Sequence, residues 1–437
     1  MHGHPAHRDP HNRYVESYRV ISLKRMSRLL EVIAPARLGT QFRYLLASTW
    51  ASNLGDGIGI AAGPLLVASQ TRDPALVAAG LLLQQLPWLL FGLVAGGLAD
   101  RLNRRLVVAF ADLTRAGILV LLVLALASGT LSVPLTLGAL FLLGTAEVFA
   151  DSTSGTLLPM LVERDDLAVG NARMMSSYVT VNQLVGPPIG AALFAVGATW
   201  AFASQAVLIA LGAVLILRMT VPLVEREPAL TRSLRHEIAE GFTWVVHHAA
   251  VRTLVLTIFI FNLTYGAAWS VLVLYAQEQL GLRNIGYGLL TSVIALGGLA
   301  GTAIYGPLSR RVSLGNIMRI GLVIETLTHL GLALTHSPWV AGSILFVFGA
   351  HAFIWGTTSI TIRQRAVPTH LQGRVGSVNS VSTYGSLVLG AALGGAIARQ
   401  GGVAAPFWFA FVGSAVFVVV IWRQLRHLAL TEDTVSA

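Results

Sequence analysis

The sequence predicts an all-α membrane protein of twelve transmembrane helices, arranged as two pseudo-symmetric six-helix bundles. The first observation is composition: of 437 residues, 54% are hydrophobic and 11% are charged, and the mean hydropathy is +0.70. The second is that apolar blocks of about 20 residues, the length of a helix that crosses a bilayer, recur along the whole chain. The third is an uneven distribution of basic residues between the polar segments.

This composition excludes several classes of protein. A soluble domain carries about 25% charged residues, so this chain cannot form the solvated surface of a cytoplasmic enzyme, and it is too apolar for a disordered protein. The chain has no cysteine, which rules out a disulfide scaffold and a thiolate metal site. The net charge of +10 fits basic loops beside a membrane, and we expect no nucleic-acid partner.

Twelve continuous apolar blocks are the predicted spanning helices. They lack the short alternation of polar and apolar residues that is typical of barrel strands. In the first half of the chain the predicted spans are 43–69, 75–98, 106–127, 133–155, 174–197 and 200–217. In the second half they are 254–276, 286–308, 316–335, 338–359, 376–398 and 405–422.

The basic residues agree with this set of spans. With the N-terminus placed in the cytoplasm, 26 of the 30 Lys and Arg residues lie in cytoplasmic segments, and Arg115 lies within a span. The three on the opposite side are Arg72, Arg283 and Arg399. This asymmetry follows the positive-inside rule, and it predicts a multi-pass protein of the cell membrane with both termini in the cytoplasm.

Polar segments divide the chain into parts. The predicted parts are a flexible cytoplasmic tail at 1–40, a six-helix bundle at 41–217, a cytoplasmic linker at 218–252, a second bundle at 253–425 and a cytoplasmic tail at 426–437. Within the linker, the segment from Ser233 to Trp244 predicts an amphipathic helix on the membrane surface. Translation could begin at Met1 or at Met26.

Similarity between the two halves supports a duplication. Gly190-Ala-Ala-Leu193 in the fifth span recurs as Gly390-Ala-Ala-Leu393 in the eleventh. The turn Gly97-Leu-Ala-Asp-Arg101 after the second span has a partial copy, Gly306-Pro-Leu-Ser-Arg310, after the eighth. Duplicated six-helix halves are typical of secondary transporters, which bind substrate near the midplane between the halves.

The turn between the second and third spans reads Gly96-Gly-Leu-Ala-Asp100-Arg101-Leu-Asn103-Arg104-Arg105. It resembles the signature loop of the major facilitator superfamily, Gly-x-x-x-Asp-Arg-x-Gly-Arg-Arg. Asn103 stands in place of the second glycine, and Asn tolerates the left-handed backbone that a glycine there would supply. The resemblance implies that this loop latches a cytoplasmic gate through Gly96, Asp100, Arg101, Arg104 and Arg105.

Further motifs include Asn53-Leu-Gly-Asp56-Gly, Leu86-Pro-Trp-Leu-Leu-Phe-Gly92 and Asp112-Leu-Thr-Arg115-Ala. They look like the enterobactin-exporter and macrolide-efflux branch of that superfamily, over residues 41 to 425. The resemblance implies alternating access, with spans one, four, seven and ten around a central cavity. The branch exports siderophores, macrolides and other compounds, so the resemblance does not fix the substrate.

Carboxylates within spans are costly in lipid and are therefore candidates for function. Asp56 follows Arg43 by 13 residues, about 20 Å at helical rise, which places it near the middle of the first span. There it could carry a proton, as proton-coupled export requires, or it could bond Asn53 or a neighbouring helix without titrating. Glu147 and Asp151, one helical turn apart on span four, are the other candidate proton carriers.

Arg115 is the only basic residue deep within a span. Asp112 precedes it by three residues and so lies on the same helix face. We expect a charge network of Arg115, Asp112 and one of the two acids on span four. Such a network would hold the first half of the protein together as a satisfied ion pair.

The candidate substrate wall consists of aromatic residues and a few hydrogen-bonding groups at helical spacing, which suits a bulky amphipathic compound. Its members are Trp50 and Asn53 on span one, Asn262, Tyr265 and Trp269 on span seven, and His351 and Trp355 on span ten. Any single aromatic residue among them could instead serve helix packing or anchoring at the membrane interface.

Enzyme motifs are absent from the sequence. A phosphate-binding Gly-x-x-x-x-Gly-Lys-Ser/Thr loop does not occur, since Lys24 is the only lysine, and there is no Gly-x-Ser-x-Gly. His236-Glu237 lacks the second His of a zinc-protease motif, because Glu240 stands at that position. We therefore expect no enzyme activity, no cofactor and no metal.

These features predict a secondary active transporter that exports a drug-like, macrolide-like or siderophore-like compound by alternating access, coupled to protons. The expected partners are the small-molecule substrate, protons and the lipid bilayer, and we expect a monomer. Two alternatives are a facilitator or importer of a metabolite or lipid, and a transporter-shaped membrane sensor without flux.

Overall fold

The computed structural model describes residues 35–221, 234–422 and 424, without the side chains of 99–101, 234–238 and 370. Within these residues every regular element is a helix. The predicted tail at 1–40 lies outside the described residues up to residue 34, and the tail at 426–437 lies outside them entirely. The choice between Met1 and Met26 also concerns residues outside this description.

The first half of the described chain contains six long helices. They are α1 (Gly39–Gln70), α2 (Pro74–Arg101), α3 (Arg104–Ala127), α4 (Val133–Ser154), α5 and α6 (Ala198–Arg218). Helix α5 runs without a break through Leu167–Ser177, a π-helical stretch Tyr178–Val185, and Gly186–Val196. A single helical turn, Leu158–Leu161, lies between α4 and α5.

The second half repeats this pattern after a separate helix, Leu234–His247, which we name the linker helix. Its six long helices are α7 (Ala249–Trp269 and Leu272–Glu278), α8 (Asn284–Arg311), α9 (Leu314–Leu334), α10 (Pro338–Ala366), α11 (Gln372–Gly401) and α12 (Ala405–Ile421). Each predicted span coincides with one of these twelve helices, so the predicted fold class is confirmed.

Ten of the described helices are long and apolar enough to cross a bilayer. Helix α12 is apolar but has 17 residues, and α1 has 32 residues whose apolar character is diluted by Asn53, Asp56 and several glycines. Helix α5 begins at Leu167 and α10 ends at Ala366, so both extend beyond the predicted spans. The apolar block marks the membrane-embedded part of a helix, whereas the hydrogen-bonded helix continues into the polar layer.

Local signals explain several helix ends. The Asp73 carboxylate accepts a hydrogen bond from the Ala75 amide at 2.9 Å, with Pro74 at the first helical position of α2. Asn103 likewise accepts from the Leu106 amide at 3.4 Å. Its φ of −70° is not left-handed, so the expected glycine-like role of Asn103 is wrong: it acts as the N-cap of α3.

Glycines bring corresponding helices of the two halves into backbone contact. A Cβ at Gly190 of α5 would lie 2.3 Å from the Ile58 carbonyl oxygen of α1. At the matching position in the second half, a Cβ at Gly390 of α11 would lie 2.2 Å from the Leu263 carbonyl oxygen of α7. The repeated Gly-Ala-Ala-Leu sequence therefore forms the same close helix crossing twice, as small residues do in lipid.

The two halves touch at one end of the molecule. This arginine-poor end carries the turns at 71–73, 128–132, 279–283, 335–337 and 402–404. A Cβ at Gly395 of α11 would lie 2.7 Å from the Cβ of Ala78 of α2, and one at Gly288 of α8 would lie 2.6 Å from that of Ala191 of α5. Helices α2 and α11, and α5 and α8, therefore pack closely here.

Polar contacts at the arginine-poor end also join the halves. Arg72 donates to Gln277 with an Nη1 to Oε1 distance of 2.7 Å. The Arg399 Nε lies 3.6 Å from an Asp73 carboxylate oxygen. These pairs connect the turn after α1 with the ends of α7 and α11 across the boundary between the halves.

At the opposite, arginine-rich end, glycines of both halves lack close neighbours. A Cβ added at Gly97 of α2, Gly306 of α8 or Gly376 of α11 would have no neighbour within 4 Å. Midway along α2 and α11, Trp88 and Tyr384 stack with ring centroids 5.3 Å apart. From this difference between the two ends we infer a cleft between the halves that opens to the arginine-rich end and narrows at this aromatic pair.

The linker helix is attached to the second half. A Cβ at Gly241 would lie 2.6 Å from the Arg374 carbonyl oxygen at the start of α11, and the Glu240 carboxylate pairs with the Arg374 guanidinium. Val245 packs with Val375 and Val378. The rest of the predicted linker, residues 222–233, lies outside the described residues.

We expect Gly190→Ala to lower the free energy of unfolding of the purified protein by about 1–3 kcal/mol. The added Cβ would meet the backbone of α1, which cannot rotate away as a side chain can. The matched control is Gly138→Ala on α4, where a Cβ has no neighbour within 4 Å. Thermal unfolding in detergent would measure both. Equal effects of the two variants would contradict the close helix crossing.

Candidate functional site

A buried cluster of charges lies in the middle of the first half. The Arg115 guanidinium on α3 is 3% exposed; its Nη1 donates to Asp112 Oδ1 at 3.1 Å and its Nη2 pairs with Asp56 Oδ1 on α1. Glu147 on α4 comes within 4.0 Å of the same Nη2. We name Arg115, Asp56, Asp112 and Glu147 the arginine cluster.

This cluster differs in one member from the predicted network. The sequence predicts Arg115 with Asp112 and a span-four acid, and it treats Asp56 as a separate proton carrier. In the structure, Asp56 is bound to Arg115, and Ser52 lies 3.5 Å from the second Asp112 oxygen. Spacing along one helix reveals Arg115 with Asp112, but the contact between α1 and α3 depends on tertiary packing.

The two acids of α4 face the cleft. The Glu147 side chain is 37% exposed, and Asp151 one turn further is exposed. Both acids are therefore at least partly accessible, whereas Asp56 and Asp112 are bound to the buried Arg115.

The predicted wall residues of the first half lie near the arginine-rich side of this cluster. Asn53 donates its amide Nδ2 to the Ser177 hydroxyl on α5 at 3.1 Å, so it links two helices. Trp50 packs beside an apolar cluster that includes Leu46 and Leu157, and its indole nitrogen is buried without a hydrogen-bond partner among the described residues. Their proposed contact with substrate stays a prediction.

Three of the predicted wall residues of the second half come together. Tyr265 stacks on Trp269 with ring centroids 4.3 Å apart, and Phe348 of α10 lies 5.9 Å from Tyr265 and 4.9 Å from Trp269. His351 lies edge-on to Phe348 at 6.2 Å. We name Tyr265, Trp269 and Phe348 the aromatic panel.

The other two predicted wall residues of the second half, Asn262 and Trp355, make contacts within or between helices. Asn262 donates its amide to the Ile258 carbonyl oxygen of its own helix at 2.8 Å. Trp355 packs against the position of Gly321 on α9, with its indole nitrogen buried and unpaired among the described residues. Neither side chain joins the aromatic panel.

Sequence reasoning missed several residues that line this region. Phe348, Trp88, Tyr178 and Tyr384 carry no signal of their own, since an aromatic residue in a spanning helix usually serves packing. Glu325 on α9 differs from these aromatic residues, because an acid within an apolar block is a recognisable signal in the sequence. Its Oε2 lies 3.3 Å from Nε2 of His351.

The signature loop lies at the arginine-rich end. Arg105 Nη1 donates to the Met219 carbonyl oxygen after α6 at 2.5 Å, and Arg104 Nη1 lies 3.2 Å from the Met160 sulfur. Gly96 has open space at its Cβ position. The side chains of Asp100 and Arg101 lie outside the described residues, so their role in a latch stays a prediction.

No group of three or more His, Cys, Asp or Glu side chains that could hold a metal occurs in the part of the chain that the structure describes. Buried charges instead form ion pairs, as in the arginine cluster and between Glu325 and His351. The chain thus combines two six-helix halves, acids between them and a signature loop that joins α2 and α3.

Residues 31–436 match the profile of the family described as transmembrane secretion effector, within the major facilitator superfamily. The chain belongs to this family. It is a multi-pass membrane transporter of small molecules and not an enzyme. The resemblance inferred from the signature loop is therefore confirmed.

Curated relatives of this transporter include efflux proteins. It is 27% identical over 407 residues to the multidrug efflux pump Tap of Mycolicibacterium fortuitum, a match that covers 88% of this chain and 96% of Tap. It is 25% identical over 340 residues to the multidrug resistance protein MdtG of Citrobacter koseri, covering 76% and 80% of the two chains.

Solved structures share the fold at low sequence identity. The nucleoside transporter NupG aligns with a TM-score of 0.73 at 12% identity, covering 88% of this chain and all of that one (100%). A bacterial homologue of the iron transporter ferroportin, in an inward-facing state, aligns with a TM-score of 0.71 at 17% identity, covering 88% and 98%. These similarities establish the transporter fold.

We expect Arg115→Met to destabilise the transporter by about 3–5 kcal/mol, because it leaves the buried Asp56 and Asp112 carboxylates without their cation. Arg399→Met is the matched control, since its ion pair with Asp73 is exposed and contributes at most about 1 kcal/mol. Thermal unfolding in detergent compares them, and a loss as small for Arg115→Met as for Arg399→Met would contradict the cluster.

Proposed function

We propose that this transporter is a proton-coupled exporter of drug-like amphipathic compounds that works as a monomer by alternating access. The observation that carries the proposal is the position of Glu147, whose side chain is 37% exposed yet lies 4.0 Å from the buried Arg115. A carboxylate with access both to water and to a buried cation can exchange a proton and transmit its charge to the protein interior.

The charge balance around Arg115 supports this assignment. Three carboxylates lie within 4.0 Å of this one guanidinium, those of Asp56, Asp112 and Glu147, and Asp151 lies one helical turn beyond Glu147. Arg115 pairs directly with the first two, so the charges of Glu147 and Asp151 have no arginine of their own among the described residues. Unpaired charge is costly within a bilayer, which favours neutralisation of these two acids when the cleft closes.

Coupling follows from that cost. Closing an empty cleft brings Glu147 and Asp151 out of water, so the empty protein changes state with these acids protonated. A cleft that holds a compound closes around the compound instead. The two halves would thus carry protons in one direction and the compound in the other.

Orientation gives this exchange its direction. With the arginine-rich end in the cytoplasm, as the positive-inside rule favours, the cleft described here opens to the cytoplasm and takes up compounds from there. The names of Tap and MdtG, both multidrug proteins, support drug-like compounds as the exported class. The aromatic panel offers a surface suited to them.

Purified Glu147→Gln in liposomes is expected to lose drug transport driven by a pH gradient, because the amide cannot take up or release the proton. It should retain exchange of labelled for unlabelled drug across the membrane, which needs no net proton movement. Flux of a fluorescent drug, with and without an imposed gradient, measures both properties.

The matched control is Glu163→Gln, an exposed acid in the turn after α4 at the arginine-rich end. It should transport like the wild type. Gradient-driven transport that survives in Glu147→Gln would remove this residue from the coupling and favour a facilitator. A wild-type protein that moves no compound at all would favour a sensor.

Cysteine labelling can test the orientation, because the chain has no native cysteine. Ser128→Cys lies exposed at the arginine-poor end, and Asp165→Cys lies exposed at the arginine-rich end. A membrane-impermeant maleimide added to intact cells should label Ser128→Cys, and should label Asp165→Cys only after lysis. The reverse pattern would invert the topology and turn the proposed exporter into an importer.

A further inference from the structure

Glu325 is a second acid in the middle of the bundle, within the second half. It lies near the centre of α9, and its side chain is 12% exposed. One carboxylate oxygen, Oε2, lies 3.3 Å from Nε2 of His351 on α10. The other oxygen has no polar partner among the described residues, so half of the hydrogen-bonding capacity of this carboxylate is unused.

The surroundings of Glu325 differ from those of the arginine cluster. The arginine nearest to it along α9 is Arg319, six residues away, about 9 Å at helical rise. On α10, Arg363 is twelve residues beyond His351, about 18 Å. Among the described residues His351 is thus the one side chain paired with Glu325, and no guanidinium neutralises it.

The aromatic panel lies on the same side as this acid. Phe348 lies edge-on to His351 with ring centroids 6.2 Å apart, and Trp269 lies edge-on to His329, one turn beyond Glu325 on α9, at 6.4 Å. Tyr265, Trp269 and Phe348 form a continuous set of ring contacts at 4.3 to 5.9 Å. Aromatic faces carry partial negative charge and attract cations, and the attraction increases where water is excluded.

We propose that Glu325 and the aromatic panel form a subsite for the positive charge of a hydrophobic organic cation. This inference rests on the proposed function, since it names the class of compound that the exporter carries. The free carboxylate oxygen supplies the countercharge, and the three rings supply a surface for apolar groups around the cation. A quaternary phosphonium or ammonium fits these requirements because it needs no hydrogen-bond acceptor.

The test compares two probes that share three phenyl rings but differ in charge. Methyltriphenylphosphonium is a cation, and triphenylphosphine oxide is neutral. Equilibrium binding to the purified full-length protein, at one fixed pH and without a gradient, gives the preference for the cation. We expect the wild type to prefer the phosphonium, and Glu325→Gln to bind it about tenfold more weakly without a change for the oxide.

Two further variants complete this test. Glu278→Gln makes the same chemical change at an exposed site beyond the panel and should keep the wild-type preference. Glu325→Asp keeps the charge and should retain the preference in part, even if Glu325→Gln folds poorly. A wild type that does not bind or does not prefer the phosphonium, or a Glu325→Gln protein that keeps the preference, would overturn the proposal.

Glu147→Gln separates this inference from proton coupling. It should lose gradient-driven transport yet keep the preference for the phosphonium, because its acid lies in the other half. Loss of the preference in Glu147→Gln with retention in Glu325→Gln would assign the cation to the arginine cluster instead. Gradient-driven transport that survives in Glu147→Gln, together with an intact preference for the phosphonium, would leave the subsite standing and reject the proposed proton coupling alone.

Discussion

The ion pairs of Arg115 are the constraint on which the first half of this transporter depends. A guanidinium in the middle of a bilayer is tolerated only where carboxylates surround it. Asp112 comes from its own helix, Asp56 from α1, and Glu147 approaches from α4. Three helices are therefore fixed at one level by one cation, and the acids of α4 take their position relative to the cleft from it.

The two halves share their packing but not their charges. Gly190 and Gly390 form equivalent close crossings, where any Cβ would meet backbone. The second half has no counterpart of Arg115 among its described spans, and Glu325 pairs with His351 alone. Such a difference separates acids that share one arginine in the first half from an acid with a free oxygen in the second. That division suits the proposed exchange of protons for a cationic compound.

Features that depend on residues close together in the sequence could be predicted, whereas contacts between distant residues could not. The spans could be predicted because each apolar block is local, and Arg115 with Asp112 because they lie on one helix face. The bond between Arg115 and Asp56 joins residues 59 positions apart, and the contact of Tyr265 with Phe348 joins two helices. No spacing rule encodes such contacts. Asn103 shows that a motif position does not fix the backbone conformation. It occupies the position of the second glycine of the signature loop, yet it adopts the N-cap conformation of α3.

Alternating access also requires that the observed state be easy to leave. The polar contacts that join the halves at the arginine-poor end are exposed, and such pairs contribute at most about 1 kcal/mol each. The close contacts of Gly288 and Gly395 add backbone packing, and larger side chains pack there as well, since one buried hydrophobic cluster includes Leu65 of the first half and Tyr287 of the second. The free energy lost when this cluster separates has to be offset by contacts that form in the opposite state. Alternating access then requires a free-energy difference between the two states within the few kcal/mol that a bound compound can reverse.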